Sequence, residues 1–349
     1  MDNLHSSPMT LAVLGATGFT GRLVVDEARR AGLPLRLVGR RRTALEEMAQ
    51  AGEKVCVADA RDEEALRKAF DGAGVVASTA GPFLDLGFVP VAAAVAAGAH
   101  YLDTTGEQAF ARQVHQRFAD APVAVLPAFG FDYVPGDLAA RLAAEQLEGG
   151  PLDEVVVAYS VKGVGTSRGT RRTIATVMGQ DQVTYEDRRL VPSRFGARTR
   201  KVRFPFGVKT VVEWGGTEPL TVPRHTNVRN VHSFIRAPAV ASVGGLIGPL
   251  VSPVFQRLSG LGPSGPSEES RRKSRFTIVA EARGPAGTAR SVLTGSDVYG
   301  LTALLIVRGA QALIAGEARG TGVLAPAEAF DARTLAEGLS PLLKIVEPT

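Results

Sequence analysis

Up to about residue 135 the chain alternates short apolar runs with amphipathic stretches, and beyond that point the hydrophobic period shortens to two. Residues 11–14, 35–38, 55–58, 75–79, 100–102 and 123–126 are apolar runs of strand length. The stretches between them carry their apolar positions at helical spacing. Thr43 with Glu46 has the pattern of a capping box, Asp62 is placed to cap a helix over 63–70, and Pro90 and Gly98 bracket one over 89–97. A chain of such strand–helix units closes into a parallel, doubly wound sheet whose ligands bind at the carboxyl ends of the strands. A helix over 137–147 leads out of this region. Residues 155–161, 199–204, 210–214, 231–235, 276–282 and 289–293 then read as antiparallel strands, with Gly284-Pro285-Ala286-Gly287 as a hairpin turn. A long helix over 299–315 follows, and the segment 323–343 is expected to return to the first domain.

The predicted fold class is therefore α/β: an N-terminal Rossmann domain at 1–134 and a second α+β domain with a mixed or antiparallel sheet at 135–320. A C-terminal segment at 321–349 is expected to pack back on the first domain. The length of 349 residues and the 45% hydrophobic content suffice for two cores. The single cysteine, Cys56, lies in an apolar run and reads as a strand residue, which leaves no internal disulfide framework. The first eight residues have no basic region followed by an apolar core, so a cytoplasmic location is expected. Five scattered histidines and one cysteine form no metal-ligating cluster, and no metal or nucleic-acid partner is expected.

The net charge of +5 is unevenly placed. Residues 161–236 hold fifteen Lys and Arg against five Asp and Glu, either a solvated face or a surface for an anionic partner. Residues 237–255 carry no charge, and their length would nearly span a bilayer. Pro238, Pro249 and Pro253 argue against a continuous spanning helix and for a flap over a pocket or a peripheral membrane contact.

The sharpest chemical signal is Gly15-Ala16-Thr17-Gly18-Phe19-Thr20-Gly21, set between an apolar run and an amphipathic stretch. Strand, tight turn and helix start in that order offer backbone N–H groups and a helix dipole to a pyrophosphate. The next strand ends in Gly39 followed by Arg40, Arg41 and Arg42, where a ribose-binding carboxylate would otherwise stand. Guanidinium groups there pair with a 2′-phosphate, which an acidic side chain would repel. The cofactor expected from these residues is NADPH. Asp59, at the end of the third strand, is placed either for adenine contacts or to begin a turn.

Further motifs are Thr79-Ala80-Gly81-Pro82-Phe83, residues 98–107 with His100, Asp103, Thr104, Thr105 and Glu107, residues 129–138 around Tyr133, and Val298-Tyr299-Gly300-Leu301-Thr302-Ala303. With the glycine turn they resemble the saccharopine dehydrogenase-like oxidoreductases, a group that includes bacterial trans-acting enoyl reductases. The resemblance covers nearly the whole chain. It implies a Rossmann domain followed by a mixed domain that supplies a substrate lid and a homodimer contact. It also implies reduction of a C=C or C=N bond.

In such a sheet Ala80 and Gly81 pass close to the ribose and pyrophosphate. Pro82 and Phe83 are then expected to wall the nicotinamide, with Phe83 toward substrate, or else to form a simple strand-end turn; Asp103 and Thr105 are candidates to position the carboxamide, and Glu107 to cap the next helix. His100 on a strand reads as structural. Hydride transfer also needs a proton, for which Tyr133 is the best-placed phenol; it reads alternatively as an anchor. Arg168, Arg171 and Arg172 are candidates for a substrate carboxylate or a carrier-arm phosphate, or form an exposed face. No Tyr-x-x-x-Lys pair occurs, so the reduction chemistry of short-chain dehydrogenases is not expected.

The leading expectation is an NADPH-dependent reductase acting on an apolar substrate, either a small molecule or an acyl group on a carrier. The alternatives are a saccharopine-type amino-acid imine reductase, a non-catalytic NADP-binding regulator, and a lipid-surface protein.

Overall fold

The computed structural model describes residues 9–147, 150–163, 165, 167, 181–236 and 265–346. The expected elements at 237–255 and the candidates Arg168, Arg171 and Arg172 lie outside the described residues. The chain divides into two units. The first comprises residues up to Thr105, Val114–Phe129 and Thr302–Leu324; the second comprises Gly106–Gln113, Gly130–Leu301 and Ala325 onward.

The first unit runs β1 (Thr10–Leu14), α1 (Phe19–Arg30), β2 (Leu35–Gly39), α2 (Arg42–Glu46), β3 (Lys54–Val57), α3 (Glu63–Phe70), β4 (Ala73–Ser78), α4 (Phe83–Leu86), α5 (Phe88–Ala96) and β5 (His100–Asp103). The helix α6 (Gln108–Arg117) begins among residues of the second unit and ends in the first, ahead of β6 (Ala124–Leu126). All strands of this sheet are parallel, in the order β3-β2-β1-β4-β5-β6, and β15 (Gly322–Val323) adds a further edge strand beside β6. Strand order reverses between β1 and β4, the switch point at which an open α/β sheet binds its ligand. The strands β1, β2 and β4 are buried along nearly their whole length because helices cover both faces of a parallel sheet.

Two charged contacts lock the helices to this sheet. Arg36, buried within β2, donates to the carbonyls of Ala69 (2.6 Å) and Asp71 (2.7 Å) at the end of α3, where the helix dipole favours a cation. Arg29 at the end of α1 holds Glu53 through two hydrogen bonds of 2.8 Å. Asp62 caps α3 as expected, accepting from the Ala65 amide at 3.0 Å, and Gly98 follows α5 at a φ of +69°. The capping box expected at Thr43 and Glu46 is absent. The helix starts at Arg42 with Arg41 as its uncapped N-terminus, which places Thr43 inside the first turn and leaves Glu46 facing Arg42 at 3.4 Å.

The second unit contains α7 (Val134–Ala144), β7 (Leu152–Lys162), β8 (Gln182–Glu186), β9 (Arg189–Ser193), β10 (Thr199–Phe204), β11 (Gly207–Glu213), α8 (Glu218–His225), β12 (Val228–Ile235), α9 (Glu268–Lys273), β13 (Arg275–Gly284) and β14 (Gly287–Ser296). Further along come α10 (Val298–Ile314), which continues into the first unit, then α11 (Pro326–Ala329), α12 (Ala332–Glu337) and β16 (Leu343–Val346). The sheet runs β10-β11-β12-β7-β13-β14-β16, with β8 paired to β12 and β9 paired to β8. It is mixed, since β12 pairs with β7 in parallel while its other pairings are antiparallel. The hairpin at 284–287 forms where expected, with Gly284 opposite Gly287.

Helix α7 lies against β7, β13 and β14. Val156, Ala158, Val202, Phe204, Val211, Phe234, Val279 and Val292 make one apolar cluster drawn from β7 and β10 to β14.

The expected C-terminal segment is shared between the units. Only β15 joins the first sheet, whereas α12 packs on α7 and β16 pairs with β14, because the alternating Leu343 and Ile345 complete the open edge at Leu293 and Gly295. The expected boundary at 320 moves accordingly. Among the described residues no helix is long and apolar enough to cross a membrane.

Candidate cofactor site

At the carboxyl end of β1 the backbone turns at Gly15, which adopts a φ of +81°. A Cβ there would stand 2.8 Å from the Thr79 hydroxyl, so both conformation and space demand glycine. Thr79 donates to the carbonyls of Leu14 (3.0 Å) and Gly15 (3.2 Å), pinning the ends of β4 and β1 together. Gly21 lets α1 lie against this turn: a Cβ on it would approach the Gly15 carbonyl oxygen to 2.2 Å. Gly18 differs from both, being exposed at the start of α1, with only the Gly15 carbonyl within reach of an added Cβ, at 3.1 Å. No side chain caps α1 and its first turn of Phe19, Thr20 and Gly21 holds no acid, so the helix opens toward any anion placed there.

A cleft of about 280 Å³ lies over this turn. It is lined by Gly15, Thr17 and Gly18, by Arg40 and Arg41 after β2, by Asp59 and Arg61 after β3, and by Thr79, Ala80 and Gly81 after β4. Leu86 completes the wall. Three arginines therefore line one cleft. Asp59 touches two of them: one carboxylate oxygen accepts from the Arg61 amide at 2.9 Å, forming the turn after β3, and the other stands 3.8 Å from the Arg40 guanidinium. Arg61 was not singled out in the sequence, because it enters the cleft only through the turn that Asp59 closes. Arg42, the third of the run, faces Glu46 on α2.

Several expected site residues take different places. Phe83, expected toward substrate, is 5% exposed, and its ring lies beside Gly81, 3.2 Å from where a Cβ would stand. Phe83 supports the loop that follows Gly81 and Pro82. Asp103 is fully buried, and one carboxylate oxygen accepts from the amides of Thr105 (2.9 Å) and Ala128 (2.8 Å), so it braces the loop beyond β6 where Ala128 adopts a φ of +60°. A carboxamide-positioning role for Asp103 is replaced by this bracing role, with Thr105 buried beside it. His100 accepts from the Ala124 amide at 3.0 Å, a structural bond, and burial holds its imidazole below the usual value.

Tyr133, expected as proton donor, is 1% exposed within the second unit. Its hydroxyl donates to the Gly106 carbonyl at 2.7 Å, and its ring stacks on Trp214 with centroids 5.8 Å apart. Burial pushes this phenol well above its usual range, and with its proton committed to a carbonyl Tyr133 acts as a tether.

Next to it lies a buried polar node. Glu218 accepts from the hydroxyls of Tyr159 and Ser233, the latter at 2.6 Å, while a Cβ on either Gly136 or Gly216 would collide with its carboxylate. Burial pushes the Glu218 carboxyl from 4.5 up to about 7, against the two hydroxyl bonds that favour its charge. The folded chain thus keeps a proton that the unfolded chain releases above 4.5, and stability contributed at low pH is lost as pH rises through about 7. Glu218→Gln is expected to remove this slope. The wild-type protein should lose on the order of 2–4 kcal/mol relative to the variant across that window, read from denaturant midpoints at each pH. A pH-independent gap between the two proteins would show that Glu218 titrates normally.

An NAD(P)H-binding family profile matches residues 15–117. A Mycobacterium tuberculosis protein carrying the provisional name trans-acting enoyl reductase is 28% identical, over 85% of this chain and 86% of its own length. A Mycobacterium bovis protein, named trans-acting enoyl reductase, is 31% identical over 54% of this chain and 49% of its own. The chain shares its fold with saccharopine dehydrogenase (L-Glu forming) of Saccharomyces cerevisiae. The TM-score is 0.60 at 13% identity, covering 97% of this chain and all of the yeast one. The nicotinamide cofactor of this oxidoreductase fits the observed site, since an uncapped helix opening, a close-approach glycine at Gly18 and a cationic cleft are what a dinucleotide requires.

Proposed function

We propose that the protein is an NADPH-dependent reductase that delivers hydride to a C=C or C=N bond of an apolar substrate, free or carried as an acyl thioester. The observation that carries the cofactor preference is the convergence of Arg40, Arg41 and Arg61 on the cleft after β2 and β3. The substrate class rests on the enoyl reductase names of the relatives and on the uncharged sequence at 237–255. When bound, the nicotinamide supplies the hydride. The chain's own residues hold the two phosphate-bearing parts: the opening of α1 takes the pyrophosphate, and the arginines take the 2′-phosphate.

The experiment is NADPH oxidation followed in parallel with enoyl thioesters, cyclic imines and pairs of amino acid with semialdehyde. Turnover of enoyl or apolar imine substrates is the expected result. Turnover of the semialdehyde pair alone would assign the saccharopine-type reaction, and NADPH binding without oxidation of any acceptor would assign a regulator.

Asp59 separates two uses of its carboxylate. If it holds Arg40 in reserve, Asp59→Asn keeps the turn, frees the guanidinium and tightens NADPH up to about fivefold, the scale of an exposed ion pair, with NADH unchanged. Equal weakening of both nucleotides in a titration would instead place Asp59 on the adenine.

A further inference from the structure

The turn between β10 and β11 carries Pro205-Phe206-Gly207-Val208, and Phe206 and Val208 stand 42% and 52% exposed. Phe206 is held outward by stacking on the buried Phe204, with ring centroids 5.2 Å apart. Cations surround the ring: the ammonium of Lys162 lies 5.2 Å and that of Lys209 6.0 Å from its centroid. Arg203 pairs across the hairpin with Val208 and Lys201 with Thr210, and both basic side chains are exposed. From Thr199 to Val212 the chain has four cationic residues and no acidic one. Of these, Arg200 is neutralised by Glu154 through two hydrogen bonds of 2.7 and 3.0 Å.

We propose that this hairpin apex docks on an anionic lipid surface, with Phe206 and Val208 entering the headgroup layer and Lys162, Lys201, Arg203 and Lys209 meeting the lipid phosphates. β10 is an edge strand, and lysines on an edge strand are explained by protection against edge pairing. An exposed, rigidly stacked phenylalanine at the apex is not explained that way. An aromatic tip ringed by long cationic side chains is the arrangement of an interfacial anchor: the ring seats at headgroup level and the stems reach outward. The charge is complementary to an anionic surface. The apex shares no residue with the cofactor cleft and does not draw on residues 237–255.

The test is co-sedimentation of the full chain with vesicles of phosphatidylcholine alone or with one part in three phosphatidylglycerol. Binding to the anionic vesicles is expected, at least roughly tenfold weaker on phosphatidylcholine alone and weakened by salt. Phe206→Ser and Val208→Ser should each lower it severalfold to roughly tenfold. Lys201→Gln with Arg203→Gln should lower it roughly thirtyfold, at unchanged thermal midpoint and NADPH affinity. The proposal is overturned if the wild-type chain stays in the supernatant with anionic vesicles, or if it binds both vesicle types equally. It is also overturned if all three variants, folded by those two measures, bind as the wild type does. Retention on polyglutamate, lost in the charge variant, with no vesicle binding would make the apex a contact for an acidic protein instead.

Discussion

Arg40→Asp is expected to weaken NADPH binding by roughly tenfold or more and to leave NADH binding nearly unchanged. A charge-assisted bond to a phosphate contributes about 1.5–3 kcal/mol, a factor of ten to a hundred. The Arg40 side chain is 72% exposed, so solvent screening places the loss toward the lower end of that range. The substitution also sets a second carboxylate where Asp59 already stands 3.8 Å from the guanidinium, which adds repulsion toward a 2′-phosphate. Gly39→Asp tests the same point from the other side. The nearest atoms to a Cβ on Gly39 are those of the Leu45 side chain, at 3.6 Å and beyond, an ordinary contact distance, so the variant should fold. Its carboxylate would then occupy the ribose position and shift preference toward NADH. Fluorescence titration of both nucleotides against the wild type and the two variants gives the answer. Equal dissociation constants in the wild type, or no change on Arg40→Asp, would remove the arginines from the phosphate.

The three glycines of the turn should fail in different ways. Gly18→Val is expected to cost about 1 kcal/mol of stability, the penalty of a poor residue at a helix N-terminus. It should nevertheless abolish NADPH binding, since the added side chain fills the approach to the pyrophosphate. Gly21→Ala is expected to destabilise the fold by about 1–3 kcal/mol or more, because its Cβ would meet the Gly15 carbonyl at 2.2 Å and both partners are backbone. Gly15→Ala should also destabilise, being strained at a φ of +81° and crowded by Thr79. Thermal midpoints and nucleotide affinity measured on the same preparations separate the cases. Normal NADPH binding by Gly18→Val would place the phosphate site elsewhere.

Much of the candidate cofactor cleft was legible because its parts are local. Gly15, Gly18 and Gly21 lie within one turn and its helix, and Arg40 and Arg41 follow directly on a strand. Residues close in sequence keep their relations whatever else the chain does. Arg61 and Leu86 were not legible. They reach the cleft through loops set by Asp59 and by α4, and nothing in the local pattern marks the side on which such a loop ends. Tyr133 and Asp103 were misplaced for a related reason. Topology puts both after strand ends, where catalytic groups collect, but the partners that bury them, Gly106, Trp214 and Ala128, come from other stretches of chain.

Strands β8 and β9 make the same point for the fold. Their hairpin turns at Asp187 and Arg188, two non-glycine residues at positive φ, with Asp187 and Arg188 donating their amides to the Asn230 side chain and the Arg229 carbonyl. No glycine or asparagine announces that turn, and the bonds that impose it come from β12. The chain by itself determined the alternation of strand and helix, the glycine turn after β1 and the cationic end of β2. Each of these follows from side-chain period and backbone freedom over a few residues. Only the tertiary structure decided that β12 joins β7 in parallel, that the C-terminal segment divides between two sheets, and which carboxylates and phenols are sealed from water. Those outcomes depend on which apolar edges and faces are still uncovered when distant segments meet, a property of the assembled sheet that no short window of sequence contains.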